Sequence, residues 1–172
     1  MNNTFDIRSA RPEDEEVLGR LWLQFLREQA ALDARFRVAE DALIRWRNDY
    51  PHWLRDASRR LFVAVRVGEV VGFVTAQWWT PPPIYAPSAE VHVNELYVRP
   101  EARGQGAGKG LLQAVRAWAE AEGAERLRLA VLEANEVGNA FWQRHRARPF
   151  VRTMTIDLEP DPRPRRERRI GF

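Results

Sequence analysis

Four glycines alternate with other residues in the stretch RGQGAGKGLL, from Arg103 to Leu112, which then continues as an apolar helical pattern. Glycine is needed where the backbone takes a positive φ, or where a side chain would block a ligand. The dinucleotide-binding pattern G-x-G-x-x-G would need glycine at Lys109 or Leu111. The Walker pattern would need glycine at Arg103 and serine or threonine at Gly110. The stretch therefore predicts a loop that is closely approached, yet it matches neither signature.

The position of this loop, between a predicted strand and the N-terminus of a predicted helix, favours an anion site. The first amides of a helix have no partner inside the helix, and the positive end of its dipole points outward. A phosphate can accept those hydrogen bonds, and glycines let it come close. Arg103 and Lys109 would add positive charge at the two edges of the loop. The alternative is a tight turn without a ligand, but four glycines exceed what one turn needs.

Length and composition indicate one ordinary globular domain of 172 residues, with 45% hydrophobic and 30% charged residues. No apolar run approaches the length of a membrane span, and the start of the chain does not resemble a signal peptide. The chain has no cysteine, which excludes disulfides, thiolate metal sites and a cysteine nucleophile. We therefore expect a cytoplasmic protein without a membrane partner.

The net charge of the chain is concentrated at its C-terminal end. Residues 160–172 carry five arginines and two acidic residues, an excess equal to the +3 charge of the whole chain. Such a tail is either a solvated terminus or a binding segment for nucleic acid or an acidic partner. We expect a domain over residues 1–159 and a basic Pro/Arg tail over residues 160–172.

Hydrophobic periodicity predicts a series of strands and helices. An amphipathic helix is expected in RPEDEEVLGRLWLQFLREQAALD, and a second helical region, broken or restarted near Pro51, in AEDALIRWRNDYPHWLRDA. A hairpin turning around Gly68 is expected in RLFVAVRVGEVVGFVTAQWW, and a loop in TPPPIYAPS. Further strands are predicted in TFDIRSA, AEVHVNELYV, RLRLAVLE and FVRTMTIDL, with helices after the glycine stretch and in ANEVGNAFWQRHRA. The pattern predicts an α/β (α+β) fold with one central, largely antiparallel sheet.

The segment ELYVRPEARGQGAGKGLL resembles the acetyl-CoA-binding motif of the GNAT superfamily of N-acetyltransferases. That motif is Arg/Gln-x-x-Gly-x-Gly/Ala, and this chain has Arg103, Gly106 and Gly108 at its three fixed positions. ANEVGNAFWQRHRA is similar to the family's second motif, and the order of elements matches from Phe5 to Leu158. The resemblance implies a GNAT-like mixed sheet flanked by helices on both faces.

The resemblance also implies which residues bind acetyl-CoA, the expected co-substrate. The loop amides would hold the pyrophosphate, the strand before the loop would offer backbone groups to the pantetheine arm, and Asn135 matches an asparagine that contacts the coenzyme. The expected coenzyme-binding residues are Leu96, Tyr97, Val98, Arg103, Gly104, Gln105, Gly106, Ala107, Gly108, Lys109 and Asn135. No metal is expected.

Two positions depart from the family pattern. The second motif commonly has Phe-Tyr, whose tyrosine protonates the leaving thiolate, whereas this chain has Phe141-Trp142. An indole N–H can donate a hydrogen bond but cannot deliver a proton. The Gly-Phe that usually follows is replaced by Arg146-Ala147. The family's roles at these positions cannot be carried over, although a thiol with a pKa of about 8.5 can leave without an acid.

Two residues of the strand AEVHVNELYV are candidates for the general base. The resemblance implies direct attack in a ternary complex, with an oxyanion donor among the backbone amides near Leu96 to Val98. His92 has an ordinary pKa suited to proton transfer near neutrality, and Glu95 is the second candidate. Strict alternation places His92, Asn94 and Leu96 on one face of the strand and Glu95 on the other, unless a bulge changes that parity.

We therefore expect an N-acetyltransferase that acts on a primary amine of a small molecule or a peptide. Aromatic residues in two regions, 46–53 and 78–85, could line the entrance for that acceptor. Two alternatives stay open. Trp142 is compatible with an acyl-CoA-binding protein of the same fold that lacks turnover, and the basic tail with a nucleic-acid-binding protein. The sequence also leaves a homodimer open.

Overall fold

One five-stranded sheet organises residues 5–158, the part of the chain that this computed structural model describes. The strands lie in chain order, and each pairs antiparallel with the next except the last pair, which is parallel. This confirms the predicted largely antiparallel sheet. The strands are β1 (Asp6–Ser9), β2 (Arg59–Arg66), β3 (Glu69–Trp79), β4 (Glu90–Val98) and β5 (Arg126–Leu129).

Helices cover both faces of the sheet. On one face, α1 (Glu15–Leu32) and α2 (Ala42–Arg55) bury a cluster that includes Leu18, Tyr50 and Phe73; we call this the α1 face. On the other, α3 (Ala107–Ala121) and α4 (Glu136–Arg144) cover a cluster that includes Val74, Val93 and Leu111, the α3 face. Single 3-10 turns, Pro12–Asp14 and Pro100–Ala102, precede α1 and the glycine loop. Between residues 5 and 158, no helix is both long enough and apolar enough to cross a membrane.

The expected break near Pro51 is wrong, because α2 runs continuously through this residue. A proline inside a helix removes one backbone hydrogen bond and is normally destabilising. Here Pro51 lies on the exposed side, where water can satisfy the carbonyl that loses its donor. The neighbouring Tyr50 is 2% exposed and its hydroxyl donates to the Arg11 carbonyl at 2.6 Å, which anchors the helix on the core.

The C-terminal strand predicted in FVRTMTIDL is also absent. Residues 150–158 have no regular secondary structure and are exposed, because no described strand lies beside them to form a ladder. The strand predicted in RLRLAVLE is likewise shorter than expected and ends at Leu129. The basic tail over residues 160–172 and its boundary with the domain lie outside the described residues and remain predictions.

Candidate active site

A β-bulge in β4 opens the sheet beside the glycine loop. In the ladder with β3, Thr75 pairs with Glu95 and Ala76 pairs with Val93, so Asn94 is an extra residue. Such a bulge bends its strand and is frequent next to active sites. The sequence offered no signal for it, since Asn94 lies in an ordinary apolar strand pattern.

The bulge coincides with the point where β4 and β5 separate. Their parallel ladder ends at the pair Val93 and Leu129, while β4 continues to Val98 and pairs there only with β3. The edge of β4 from Asn94 to Val98 therefore pairs with no strand of residues 5–158 other than β3. This explains why β5 is shorter than predicted, since its partner turns away.

The bulge also changes the alternation of side chains between the two faces that was expected for β4. Leu96 packs with the α3-face cluster and Tyr97 with the α1-face cluster. Counting back across the bulge, Glu95 and His92 both point to the α1 face, because Val93 belongs to the α3 face. The expectation that His92 and Glu95 point to opposite faces, and that His92 shares a face with Leu96, is wrong.

Glu95 is enclosed between β3 and α1. The Thr75 hydroxyl donates to its carboxylate, and the Glu95 amide donates to Thr75 Oγ1 at 3.2 Å. Burial raises the pKa of Glu95, while hydrogen bonds from Thr75 and the Trp22 indole oppose that rise. A carboxylate with a raised pKa is a stronger base than an exposed one.

His92 lies three residues upstream, opposite Gln77 on β3 and Arg128 on β5. Its Nδ1 is buried and, among residues 5–158, has no hydrogen-bond partner. Burial and the charge of Arg128 lower the pKa of His92, which favours the neutral imidazole at pH 7. The neutral ring can accept a proton.

Each of the four glycines in the loop has a structural reason. Gly104 and Gly106 have φ of +73° and +99°, and an added Cβ at either would meet no atom within 4 Å. Gly108 and Gly110 instead allow close packing, because an added Cβ would lie 3.2 Å from the Phe141 ring and 3.1 Å from an Ile7 side-chain carbon. The number of glycines therefore does not by itself require a ligand.

The backbone amides of the loop are the stronger sign of an anion site. The helical ladder of α3 begins with the Gly110 amide, which donates to the Gly106 carbonyl at 3.0 Å. The amides of Ala107, Gly108 and Lys109 come before this ladder at the N-terminus of a 15-residue helix. They lie beside Gly104 and Gly106, where added side-chain atoms would meet open space.

Arg103 braces the loop. Its Nε donates to the Val98 carbonyl at 2.8 Å, and its Nη2 pairs with Glu28 on α1 at 2.7 Å. The Tyr97 hydroxyl donates to the other Glu28 oxygen at 2.6 Å. The charge of Arg103 is thus already engaged, and Glu28 ties α1 to the end of β4. Gln105 accepts from the Arg66 guanidinium at 2.7 Å.

Asn135 lies at the N-terminus of α4. Its Oδ1 accepts from the Gly138 amide at 2.8 Å, and an added Cβ on Gly138 would lie 2.7 Å from its Nδ2. That Nδ2 is 3.5 Å from the Gln29 oxygen on α1. Asn135 therefore caps α4 and faces α1.

The two departures from the family pattern both lie at the far end of α4. Trp142 packs against the α3-face cluster, so its indole is part of the packing of the core. Arg146 has a left-handed φ of +69°, which matches the expectation that glycine usually occupies this position. Ala147 follows it and lines a groove between α3, β5 and α4.

The aromatic residues considered for the acceptor entrance do not form one cluster. Trp46 and Tyr50 stack within α2, with ring centroids 4.8 Å apart. Trp53 lies against Arg59, and Trp79 against Arg128. Trp78 packs with the α3-face cluster, and Tyr85 is exposed. Of these contacts, the one between Trp79 and Arg128 involves the residue that pairs with His92 on β5.

A model of the acetyltransferase (GNAT) family matches residues 22–146. The match covers more than half of the chain, and the chain belongs to this family. The predicted family and enzyme class, an acyltransferase, are thereby confirmed. Comparison with curated protein sequences finds no match. Between residues 5 and 158, no group of three His, Asp or Glu side chains is placed to hold a metal ion.

Solved structures show the same fold at low sequence identity. A mutant of the BH1408 protein from Bacillus halodurans is 22% identical, with a TM-score of 0.82 over 90% of this chain and 99% of that one. AAC(6')-Iy, in complex with a CoA bisubstrate analogue, is 20% identical, with a TM-score of 0.70 over 91% and 99%. A ribosomal-protein-alanine N-acetyltransferase from Brucella melitensis is 20% identical, with a TM-score of 0.66 over 90% and 100%.

Proposed function

We propose that the protein transfers an acetyl group from acetyl-CoA to a primary amine, which attacks directly in a ternary complex. The observation that carries this proposal is the arrangement along β4. The strand leads from two candidate bases, through the bulge at Asn94 and the edge that β5 leaves unpaired, to the glycine loop and the amides of α3. A single strand thus connects an anion site with a proton acceptor.

The described residues are compatible with the expected coenzyme contacts. The open space beside Gly104 and Gly106 would receive the pyrophosphate against the amides up to Lys109. The edge of β4 that β5 leaves unpaired, from Leu96 to Val98, would offer backbone groups to the pantetheine arm and an amide to the oxyanion. Arg103 would shape the loop, and Asn135 would contact the coenzyme from the N-terminus of α4.

We assign the base to Glu95. It directly follows the bulge, where β4 leaves β5, whereas His92 lies where the two strands are still paired. Because the Glu95 carboxylate is mostly buried, it would accept the ammonium proton through a water molecule. His92 is the alternative base. The thiolate would leave unaided, since Trp142 cannot supply a proton.

Two structural neighbours suggest the first acceptors to test. AAC(6')-Iy was solved with an acetylneamine conjugate, and the Brucella protein is named for a ribosomal-protein alanine. We propose an amine of one of these kinds, an amino sugar or a peptide N-terminus, and a panel should contain both. Thiol release measured with the panel, beside calorimetric titration with acetyl-CoA, tests the function. Binding without turnover of any amine would favour an acyl-CoA-binding protein.

The base assignment predicts a loss of turnover in the Glu95→Gln variant. We expect kcat to fall about a hundredfold or more at neutral pH, with near-normal affinity for acetyl-CoA. The basic form of Glu95 is lost as the pH falls through its raised pKa, so the acid limb of the wild-type profile should disappear in the variant. His92→Ala is the matched comparison. If it is the crippled variant and Glu95→Gln works normally, the base is His92.

A further inference from the structure

A charged patch lies on the α1 face at the end of the sheet where β4 and β5 are still paired. Leu127 and Leu129 pack with the α3-face cluster. The residues that alternate with them on β5, Arg126 and Arg128, therefore point to the α1 face. The same alternation brings side chains of β3 and β4 to this patch, whose members are Gln77, Trp79, Glu90, His92, Arg126 and Arg128. Apart from His92 as the alternative base, the proposed acetyl transfer gives these residues no role.

The patch is close to Glu95. On β3, Gln77 lies two residues beyond Thr75, the partner of Glu95. His92 pairs with Gln77 on one side and with Arg128 on the other. With a rise of about 3.3 Å per residue and about 4.8 Å between strands, the backbone of Arg128 lies about 8 Å from that of Glu95. One small molecule can therefore span the distance from the proposed base to this arginine.

Glu90 compensates only part of the charge of Arg128. It is 4% exposed, and its carboxylate is shared between Arg126 Nε at 3.4 Å and Arg128 Nη1 at 3.3 Å. Arg126 has a second partner, since its Nη2 lies 3.7 Å from a Glu125 oxygen. The contact of Arg128 with Glu90 is longer than the roughly 2.7–2.9 Å of a strong charge-assisted hydrogen bond. Of the two arginines, Arg128 therefore has more of its charge left for a ligand.

Arg128 is held in an orientation that suits a carboxylate. Its guanidinium carbon lies 3.7 Å from the centroid of the Trp79 ring, which supports the planar group from one side. Among residues 5–158 the guanidinium donates only to Glu90, through Nη1, so Nε and Nη2 are available. The side chain is 26% exposed, so a ligand can reach it. A planar guanidinium supported by an aromatic ring, with two free N–H groups on one edge, can bind a carboxylate through two parallel hydrogen bonds.

We propose that Arg128, supported by Trp79, binds a carboxylate of the acetyl acceptor, while the amine of the same molecule lies at Glu95. The acceptor is then an amine that carries a carboxylate, as amino acids and short peptides do, and not a polycationic amino sugar. A single, partly compensated arginine balances one carboxylate but not the two charges of a phosphate. The inference rests on the proposed acetyl transfer for the amine end, whereas binding of the carboxylate is measured without any transfer.

Calorimetric titration of the full-length chain in the presence of CoA, which has no acetyl group to transfer, tests this site. The probes are ε-aminocaproate, its amide ε-aminocaproamide and hexamethylenediamine, which have similar lengths and a negative, a neutral and a positive far end. The wild type should bind the acid about tenfold or more tightly than the amide, as charge-assisted hydrogen bonds predict, and the diamine most weakly. Equal affinity for the acid and the amide would overturn the proposal.

Two matched variants separate the binding of a ligand by Arg128 from its pairing with Glu90. Arg128→Gln should bind the acid and the amide equally. Arg126→Gln removes the other arginine from the same carboxylate and should keep the preference for the acid. Thermal unfolding shows whether each variant is folded; if Arg128→Gln is not, Trp79→Leu removes the ring beside the guanidinium and should reduce the preference severalfold. A preference that survives in folded Arg128→Gln, or in Trp79→Leu where that variant replaces it, or that is lost equally in Arg126→Gln, contradicts the proposal.

Thiol release from acetyl-CoA with the same probes is measured separately. Preferential binding of the acid, without thiol release in the presence of any amine, would support the carboxylate site and refute the acetyl transfer. Thiol release with the amide or the diamine as fast as with the acid would support the transfer and refute the proposed class of acceptor. The two proposals therefore fail in different ways.

Discussion

The start of α3 and the end of α4 both have a residue in the left-handed backbone conformation. At α3 this residue is a glycine, and at α4 it is an arginine. Gly106 precedes α3 with a φ of +99°, and Arg146 follows α4 with a φ of +69°. The left-handed region suits glycine, and it is strained for a residue with a Cβ. At α3 the chain keeps its glycine beside open space and free amides. At the end of α4, Arg146 adopts this conformation in spite of its Cβ. We infer that, of these two helix ends, the start of α3 is the one that binds a ligand.

The largest effect expected from this comparison is loss of coenzyme binding in Gly106→Val. The branched side chain would enter the space proposed for the pyrophosphate and would strain the backbone by about 1–3 kcal/mol. Calorimetric titration should detect no binding of acetyl-CoA. The control is Gly68→Val in the β2–β3 hairpin, because Gly68 also has a positive φ (+80°) and open surroundings. Equal binding by both folded variants would refute the proposed site.

A smaller effect, a loss of stability in Gly108→Val, distinguishes glycines needed for packing from glycines needed for backbone conformation within the loop. In Gly108→Val the new Cβ would lie 3.2 Å from the Phe141 ring, so we expect overpacking that destabilises the fold by about 1–3 kcal/mol. Thermal unfolding in the absence of coenzyme measures this. The double variant with Phe141→Leu should recover part of the loss. No recovery would mean that Phe141 is not the obstacle.

The smallest effect is a gain in stability at the other helix end. Arg146→Gly should relieve the left-handed strain, which for an L-residue is about 1–2 kcal/mol, less the extra entropy that glycine loses on folding. A net stabilisation of about 0.5–1 kcal/mol is expected. Gln143→Gly, inside α4, should instead destabilise, because glycine disfavours helix interiors. Chemical unfolding measures the change in the free energy of unfolding for both variants. Changes of the same sign would contradict the comparison.

Local sequence patterns were sufficient to predict the structure where the conformation of a residue depends on its own backbone or on its near neighbours. The alternation in β2 and β3, the four-residue apolar repeat of α1 and the glycine before α3 all predicted elements that the structure has. The family resemblance was likewise carried by short motifs, and the match over residues 22–146 confirms it. The coenzyme-binding assignment rests on the same local features and remains a prediction.

Other features depended on partners far along the chain. The bulge at Asn94 comes from the register between β3 and β4, and it placed His92 and Glu95 on the same face against the expected alternation. The continuity of α2 through Pro51 depends on Tyr50, whose hydroxyl reaches Arg11. The apolar pattern of residues 150–158 indicates a strand but names no partner for it.

The features that the sequence predicted differ from those that it did not predict in the range of the interactions that determine them. Helical periodicity, positive φ and the unpaired amides of a helix start are properties of a few consecutive residues, so RGQGAGKGLL already implied a turn into a helix with an anion-binding end. Strand register, the face to which a side chain points and the filling of a groove depend on which segments meet. The face on which the candidate base lies was therefore decided only by the pairing of β4 with β3.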